Sequence, residues 1–198
     1  MKPAITLFGS YRPQPGDELY ELAESIGYQL AVAGFDLING GHEGTMAASA
    51  AGARRGGGRA IGVTCRSVRE ARDGAVNEFI TDMIEAPDLL RRIETMMRRA
   101  AGYVILSGGT GTLAELGLIW EHVSKGVLSP RPICCVGDCW RSTVAAVETN
   151  DPAAARLIRF VNDAERVVAI MRESSASPPE SDRDFLPPGT SLVQVDKH

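Results

Sequence analysis

The sequence is poor in the side chains that metal centres and redox chemistry require. Among 198 residues there are three histidines, one of them the terminal His198, and four cysteines. Cys134 and Cys135 are adjacent within the apolar run 132–136, Cys139 follows just beyond, and Cys65 lies far upstream. Neighbouring strand residues point to opposite faces, so this pair does not share one metal, and two separated pairs at zinc-ligand spacing are missing. Buried, reduced thiols acting as small apolar side chains are the expected state. Neither a metal nor a cofactor is expected. A run of about 20 apolar residues is also lacking, as is the basic-then-apolar pattern of a secretory signal, so the expectation is a cytoplasmic protein with no membrane partner. There is no basic excess: 21 Lys+Arg stand against 25 Asp+Glu, a net charge of −4. A non-specific nucleic-acid binder needs cations to neutralise phosphates, so no nucleic-acid partner is expected. What remains is ordinary globular usage, with 44% hydrophobic and 23% charged residues, in a length that fits one domain with a sizeable core.

Short apolar runs alternate with helical periods, the signature of parallel βαβ units. Strands are expected at 4–8, 35–38, 60–64, 79–84, 103–106, 132–136 and 158–161. Helices are expected near 17–33, 44–55, 88–101, 112–126, 139–149 and 163–173. Right-handed crossovers then give an α/β fold, an open, mostly parallel sheet with helices on both faces, over residues 1–173. Residues 174–198 read as a polar, Pro/Ser-rich tail whose apolar patch, 191–195, either docks or frays. Open sheets of this kind bind ligands beyond the carboxyl ends of their strands, so the informative residues should follow strands.

The most glycine-rich of these turns is Ser107-Gly108-Gly109-Thr110-Gly111-Thr112-Leu113-Ala114-Glu115. Glycines allow close backbone approach, and exposed N–H groups at a helix start attract an anion, so the turn reads as a phosphate site. A tight strand–helix turn that needs glycine only for packing is the plainer reading. A Walker loop is excluded because no lysine is present. The spacing Gly109-x-Gly111-x-x-Ala114 does satisfy a dinucleotide fingerprint, with Asp138 24 residues after Ala114, but it comes late in the sheet instead of at the first βα turn. Glu115 carries two readings: partner of Thr112 in a capping box, or a carboxylate beside a bound phosphate ester that meets the positive charge of a breaking glycosidic bond.

A second glycine-rich segment, Asn39-Gly40-Gly41-His42-Glu43-Gly44-Thr45-Met46, also follows a strand. Gly40 and Gly41 would let the backbone pass close to a ligand, Glu43 is open as a ligand contact, and His42 reads as a loop residue. In the helix 88–101, Leu89, Ile93, Met96, Met97 and Ala100 form the expected buried stripe, with Arg91 and Arg98 on the far face. Arg92 and Arg99 flank the stripe, where an arginine either stays on a solvated face or aims its guanidinium into a cleft.

At these residues the chain resembles the LONELY GUY (LOG) family, whose signature is Pro-Gly-Gly-x-Gly-Thr-x-x-Glu with an arginine 15 residues before its proline. Residues 107–115 match all but the leading proline, and Arg92 stands 15 residues before Ser107. Gly40–Met46, Gly57–Val63 and the opening Gly9-Ser10 are similar to three further family segments. The sequence departs at Ser107 for proline, Ile93 for a lysine and Ala114 for an acidic residue, and the Thr-Trp-x-Gln-Leu stretch is not reproduced. The resemblance implies a Rossmann-like homodimer that hydrolyses the N-glycosidic bond of a nucleoside 5′-monophosphate, such as a cytokinin ribotide or AMP, to free base and ribose 5-phosphate. It implies Arg92 and Glu115 as the catalytic pair and Gly108, Gly109, Gly111 and Thr112 around the phosphate; Thr110 in the same turn, and Ser10, Gly40, Gly41 and Glu43 at the neighbouring strand ends, are the other expected substrate contacts. The same superfamily includes molybdenum-cofactor carriers, so a binding protein for a phosphorylated pterin or nucleotide is the alternative.

Overall fold

Alternating apolar runs and helical periods build one eight-stranded sheet in the computed structural model, which describes residues 2–70, 76–174, 182 and 184–193. The order is β1 (Ala4–Phe8), α1 (Glu18–Val32), β2 (Asp36–Asn39), α2 (Thr45–Arg55), β3 (Ala60–Cys65), α3 (Arg66–Glu70), β4 (Asp82–Ala86) and α4 (Leu89–Arg99). It continues through β5 (Ala100–Ile105), α5 (Thr110–Ser124), β6 (Ile133–Val136), α6 (Arg141–Glu148), α7 (Pro152–Ala155), β7 (Ile158–Val161), α8 (Ala164–Glu173) and β8 (Ser191–Val193).

The strands lie in the order β7-β6-β5-β1-β2-β3-β4-β8. All neighbours are parallel except β8, which runs antiparallel to β4. From β1 the chain winds outward one way through β2, β3 and β4, then returns to β5 on the other side of β1. The switch of direction leaves a crevice beyond the carboxyl ends of β1 and β5, the place where doubly wound sheets bind ligands.

Both faces of the sheet are buried, so the strands read as continuous apolar runs without polar alternation. Alternate residues feed opposite cores: Phe8, Tyr103, Ile105 and Cys135 pack under α4 and α5, and Leu7, Val104, Leu106 and Cys134 pack under α1 and α8. The adjacent thiols therefore face opposite ways, and burial pushes both up to about 12.

Element positions differ from the sequence expectation where side chains redirect the backbone. The strand expected at 79–84 begins at Asp82 because Asn77 turns the chain first, its Oδ1 accepting from Phe79 N at 3.1 Å and its carbonyl from Ile80 N at 3.2 Å. β5 starts at Ala100 with no loop after α4, because Arg131 takes the helix-end carbonyls that a loop would otherwise satisfy. Its Nη1 donates to the carbonyls of Met97 (2.9 Å), Arg98 (2.7 Å) and Ala100 (2.8 Å). The expected helix 139–149 is followed by a separate short α7, capped by Asp151 with Pro152 in its first turn.

Two expectations for α4 fail. Leu89, placed on the buried stripe, is 47% exposed, because it opens the helix at the cleft and joins its lining. Arg98, placed on the far face, is half-buried and held by Glu94 and Asp182. Asp182 belongs to the expected tail, where it also bonds Arg131 at 2.8 Å. β8 then lies on β4 with Leu192 opposite Ile84. The described part of the apolar patch thus docks, and its last two residues, Gln194 and Val195, lie outside the described residues.

Candidate active site

The segments following β1, β2 and β5 converge on a cleft of about 910 Å³. Its floor is tied together by backbone bonds across strand ends. Leu106 N donates to Phe8 O (2.8 Å), Ser10 N to Ser107 O (3.1 Å), and Thr45 N to Ser10 O (2.9 Å). Three glycine-bearing segments that are far apart in sequence thereby form one continuous wall.

The turn after β5 opens directly into a helix. Gly109 is the N-cap of α5 and no side chain caps it, so the first-turn amides of Thr110, Gly111 and Thr112 have no intrahelical partner, and all three residues line the cleft. Gly109, Thr110 and Gly111 are exposed there, whereas Thr112 is buried beneath the turn. A Cβ at Gly108 would collide with the Thr112 side chain, which accounts for glycine at that position. The helix begins two residues before the expected 112. Thr112 is therefore its third residue and not its cap, so Thr112 and Glu115 do not form a capping box. Glu115 lies one turn further in and lines the cleft, its side chain 12% exposed.

Arg92 comes to the same place from α4. It is 6% exposed, which removes the solvated-face reading. Its Nε donates to Val63 O at 2.8 Å and its Nη2 to Gly40 O at 3.4 Å, while Nη1 lies 3.8 Å from Glu115 Oε1. A Cβ at Gly40 would meet the guanidinium, so glycine there leaves room for the arginine. One guanidinium thus joins the end of β3, the loop after β2 and the first turns of α5.

The other sequence-selected residues divide. Ser10 lines the cleft half-buried, its Oγ accepting from Arg12 N at 3.1 Å. Gly41 lies beneath the cleft wall, its N–H donating to Asn39 Oδ1 at 2.8 Å and its carbonyl accepting from Asn77 N at 2.9 Å. Glu43 is exposed and is not part of the lining. His42, read as a loop residue, is 3% exposed and lines the cleft. Its carbonyl accepts from Asn77 Nδ2 at 2.8 Å. Asn39 carried a signal, since an Asx residue two before a loop glycine is a turn former. Asn77 carried none, because its partners lie 35 residues upstream in sequence. Tyr11 and Arg12 also line the cleft, from a segment that reads in the sequence only as a loop. Among the described residues no group of His, Cys, Asp and Glu could hold a metal, and no helix is long and apolar enough to cross a membrane.

The chain has relatives among known proteins. It is 36% identical over 126 residues to a cytokinin riboside 5′-monophosphate phosphoribohydrolase of Mycobacterium tuberculosis, covering 62% of this chain and 64% of that protein. It is 35% identical over 113 residues to the protein of the same name from Mycobacterium marinum, covering 56% and 58%. The chain thus matches less than two thirds of either relative's length. The molybdenum cofactor binding protein of Rippkaea orientalis has the same fold, with a TM-score of 0.70 at 19% identity over 87% of this chain and 97% of that one. The model of the SLOG cluster4 family matches residues 2–167, and the chain belongs to that family.

Proposed function

We propose that the protein hydrolyses the N-glycosidic bond of a nucleoside 5′-monophosphate to free base and ribose 5-phosphate. The observation that carries this reading is the Arg92–Glu115 pair, 3.8 Å apart, beside an uncapped helix start in the same cleft. The 5′-phosphate binds at Gly108, Gly109, Thr110, Gly111 and Thr112, where free amides and the helix dipole favour a dianion. Ser10, on the adjoining strand end, faces the ribose.

Glu115 then lies under the sugar. As the bond to the base lengthens, positive charge develops on C1′ and the ring oxygen, and a carboxylate held close stabilises it or takes the proton of the attacking water. Arg92, itself held by the carbonyls of Val63 and Gly40, places its guanidinium beside the Glu115 carboxylate and orients it. The names of the mycobacterial relatives support a nucleotide-cleaving reaction.

The test is a panel of AMP, GMP, CMP and cytokinin-type riboside monophosphates, with free base measured by chromatography. Release of base from at least one nucleotide is expected. Tight binding of a phosphorylated ligand with no base released from any nucleotide would make the protein a carrier and overturn the hydrolytic reading.

A further inference from the structure

We infer that His42 delivers the proton to the departing base; the inference rests on the hydrolytic reading above. When the glycosidic bond breaks, its electron pair stays on a base nitrogen, and a base anion is a poor leaving group unless a donor protonates it as the bond lengthens.

Few described side chains at the cleft can do this. Arg92 does not release its proton at any working pH, and Glu115 serves the sugar. Tyr11, Arg12 and Asp17 are exposed residues of the segment between β1 and α1, at the outer rim. His42 is buried in the wall, and imidazole is the side chain that both holds and gives up a proton near neutrality.

Topology sets the spacing between the His42 loop and the phosphate turn. The phosphate turn follows β5 and the His42 loop follows β2, with β1 between them. Two strand spacings separate them, roughly 10 Å, the span of an extended nucleotide from phosphate to base. With the phosphate on α5 and the ribose across Ser10, the base arrives beside His42.

The loop is fixed and not free to swing. Asn39 binds Gly41 N (2.8 Å) and, through Nδ2, Met46 O (2.9 Å), while Asn77 binds the carbonyls of Gly41 (2.9 Å) and His42 (2.8 Å). Such bracketing matches the precision that a proton donor needs.

The balance is complete. The C1′–N bond breaks with both electrons going to the base, whose nitrogen takes the imidazolium proton. Water adds to C1′ and loses a proton to Glu115; Glu115 then releases that proton to solvent while His42 takes one up, which returns both groups to their starting states.

The experiment compares wild type, H42Q and H42A on AMP and on nicotinamide mononucleotide, whose cationic base leaves as a neutral molecule without protonation. With AMP, kcat is expected to fall by about 10²-fold or more in both variants with KM little changed. With nicotinamide mononucleotide it is expected to stay within a few-fold of wild type, and added imidazole should partly restore H42A on AMP. Equal losses on both substrates, or no loss on AMP, would overturn the role of His42 while leaving hydrolysis intact. A wild type inert toward every nucleotide would overturn the hydrolytic reading and His42's part in it together. Retained turnover of nicotinamide mononucleotide also shows that the variants fold.

Discussion

Arg92 and Glu115 come from different helices and meet 3.8 Å apart with side chains 8% and 12% exposed. The arginine is aimed by the carbonyls of Val63 and Gly40, and the glutamate by the early start of α5.

R92K is therefore expected to fail as a substitute. Lysine carries the charge but not the planar fork that reaches two carbonyls and a carboxylate at once. Turnover should drop by about 10²-fold, and thermal unfolding should occur at lower temperature because buried acceptors lose their donors. Near-wild-type kcat in R92K would show that only the charge matters.

G40A probes the same geometry from the opposite wall. The added methyl occupies the space of the guanidinium, so Arg92 must move off Gly40 and its placement against Glu115 changes. We expect a folded protein with kcat reduced at least about tenfold, measured beside its melting curve. Full activity in G40A would mean that the observed arginine position is not the working one.

Residues 107–115 and Arg92 were legible as a candidate site because a strand–glycine–helix turn and a helix-flanking arginine leave local patterns. The sheet was legible for the same reason, since seven apolar runs alternate with helical periods. What local pattern could not supply was long-range hydrogen bonding. The turn that delays β4 depends on Asn77, the absence of a loop between α4 and β5 on Arg131, and the half-burial of Arg98 on Asp182. His42 was passed over because its holder, Asn77, is distant in sequence.

The tail contact makes a stability prediction. The Arg131 side chain is fully buried, and Asp182 pairs with it at 2.8 Å and with Arg98 at 3.2 Å. D182A leaves that guanidinium without its carboxylate and is expected to destabilise the fold by about 3 kcal/mol in urea unfolding. A change below about 0.5 kcal/mol would mean that residue 182 does not engage the body of the protein.

The four thiols are expected to separate under alkylation near pH 8. Cys139 is exposed and should react readily, whereas Cys65, Cys134 and Cys135 are buried, the last two with thiols pushed up to about 12 by desolvation. Mass spectrometry should find one modification in the folded protein and four after unfolding. Rapid modification at Cys134 or Cys135 in the folded state would contradict their place in the two cores.

The most direct test replaces the carboxylate alone. E115Q keeps the shape of the side chain and leaves the α5 amides in place. It should bind a nucleoside monophosphate about as tightly as wild type by calorimetry, with free-base release slowed at least about 10²-fold. Base release from E115Q at the wild-type rate would show that the bond is not broken over Glu115.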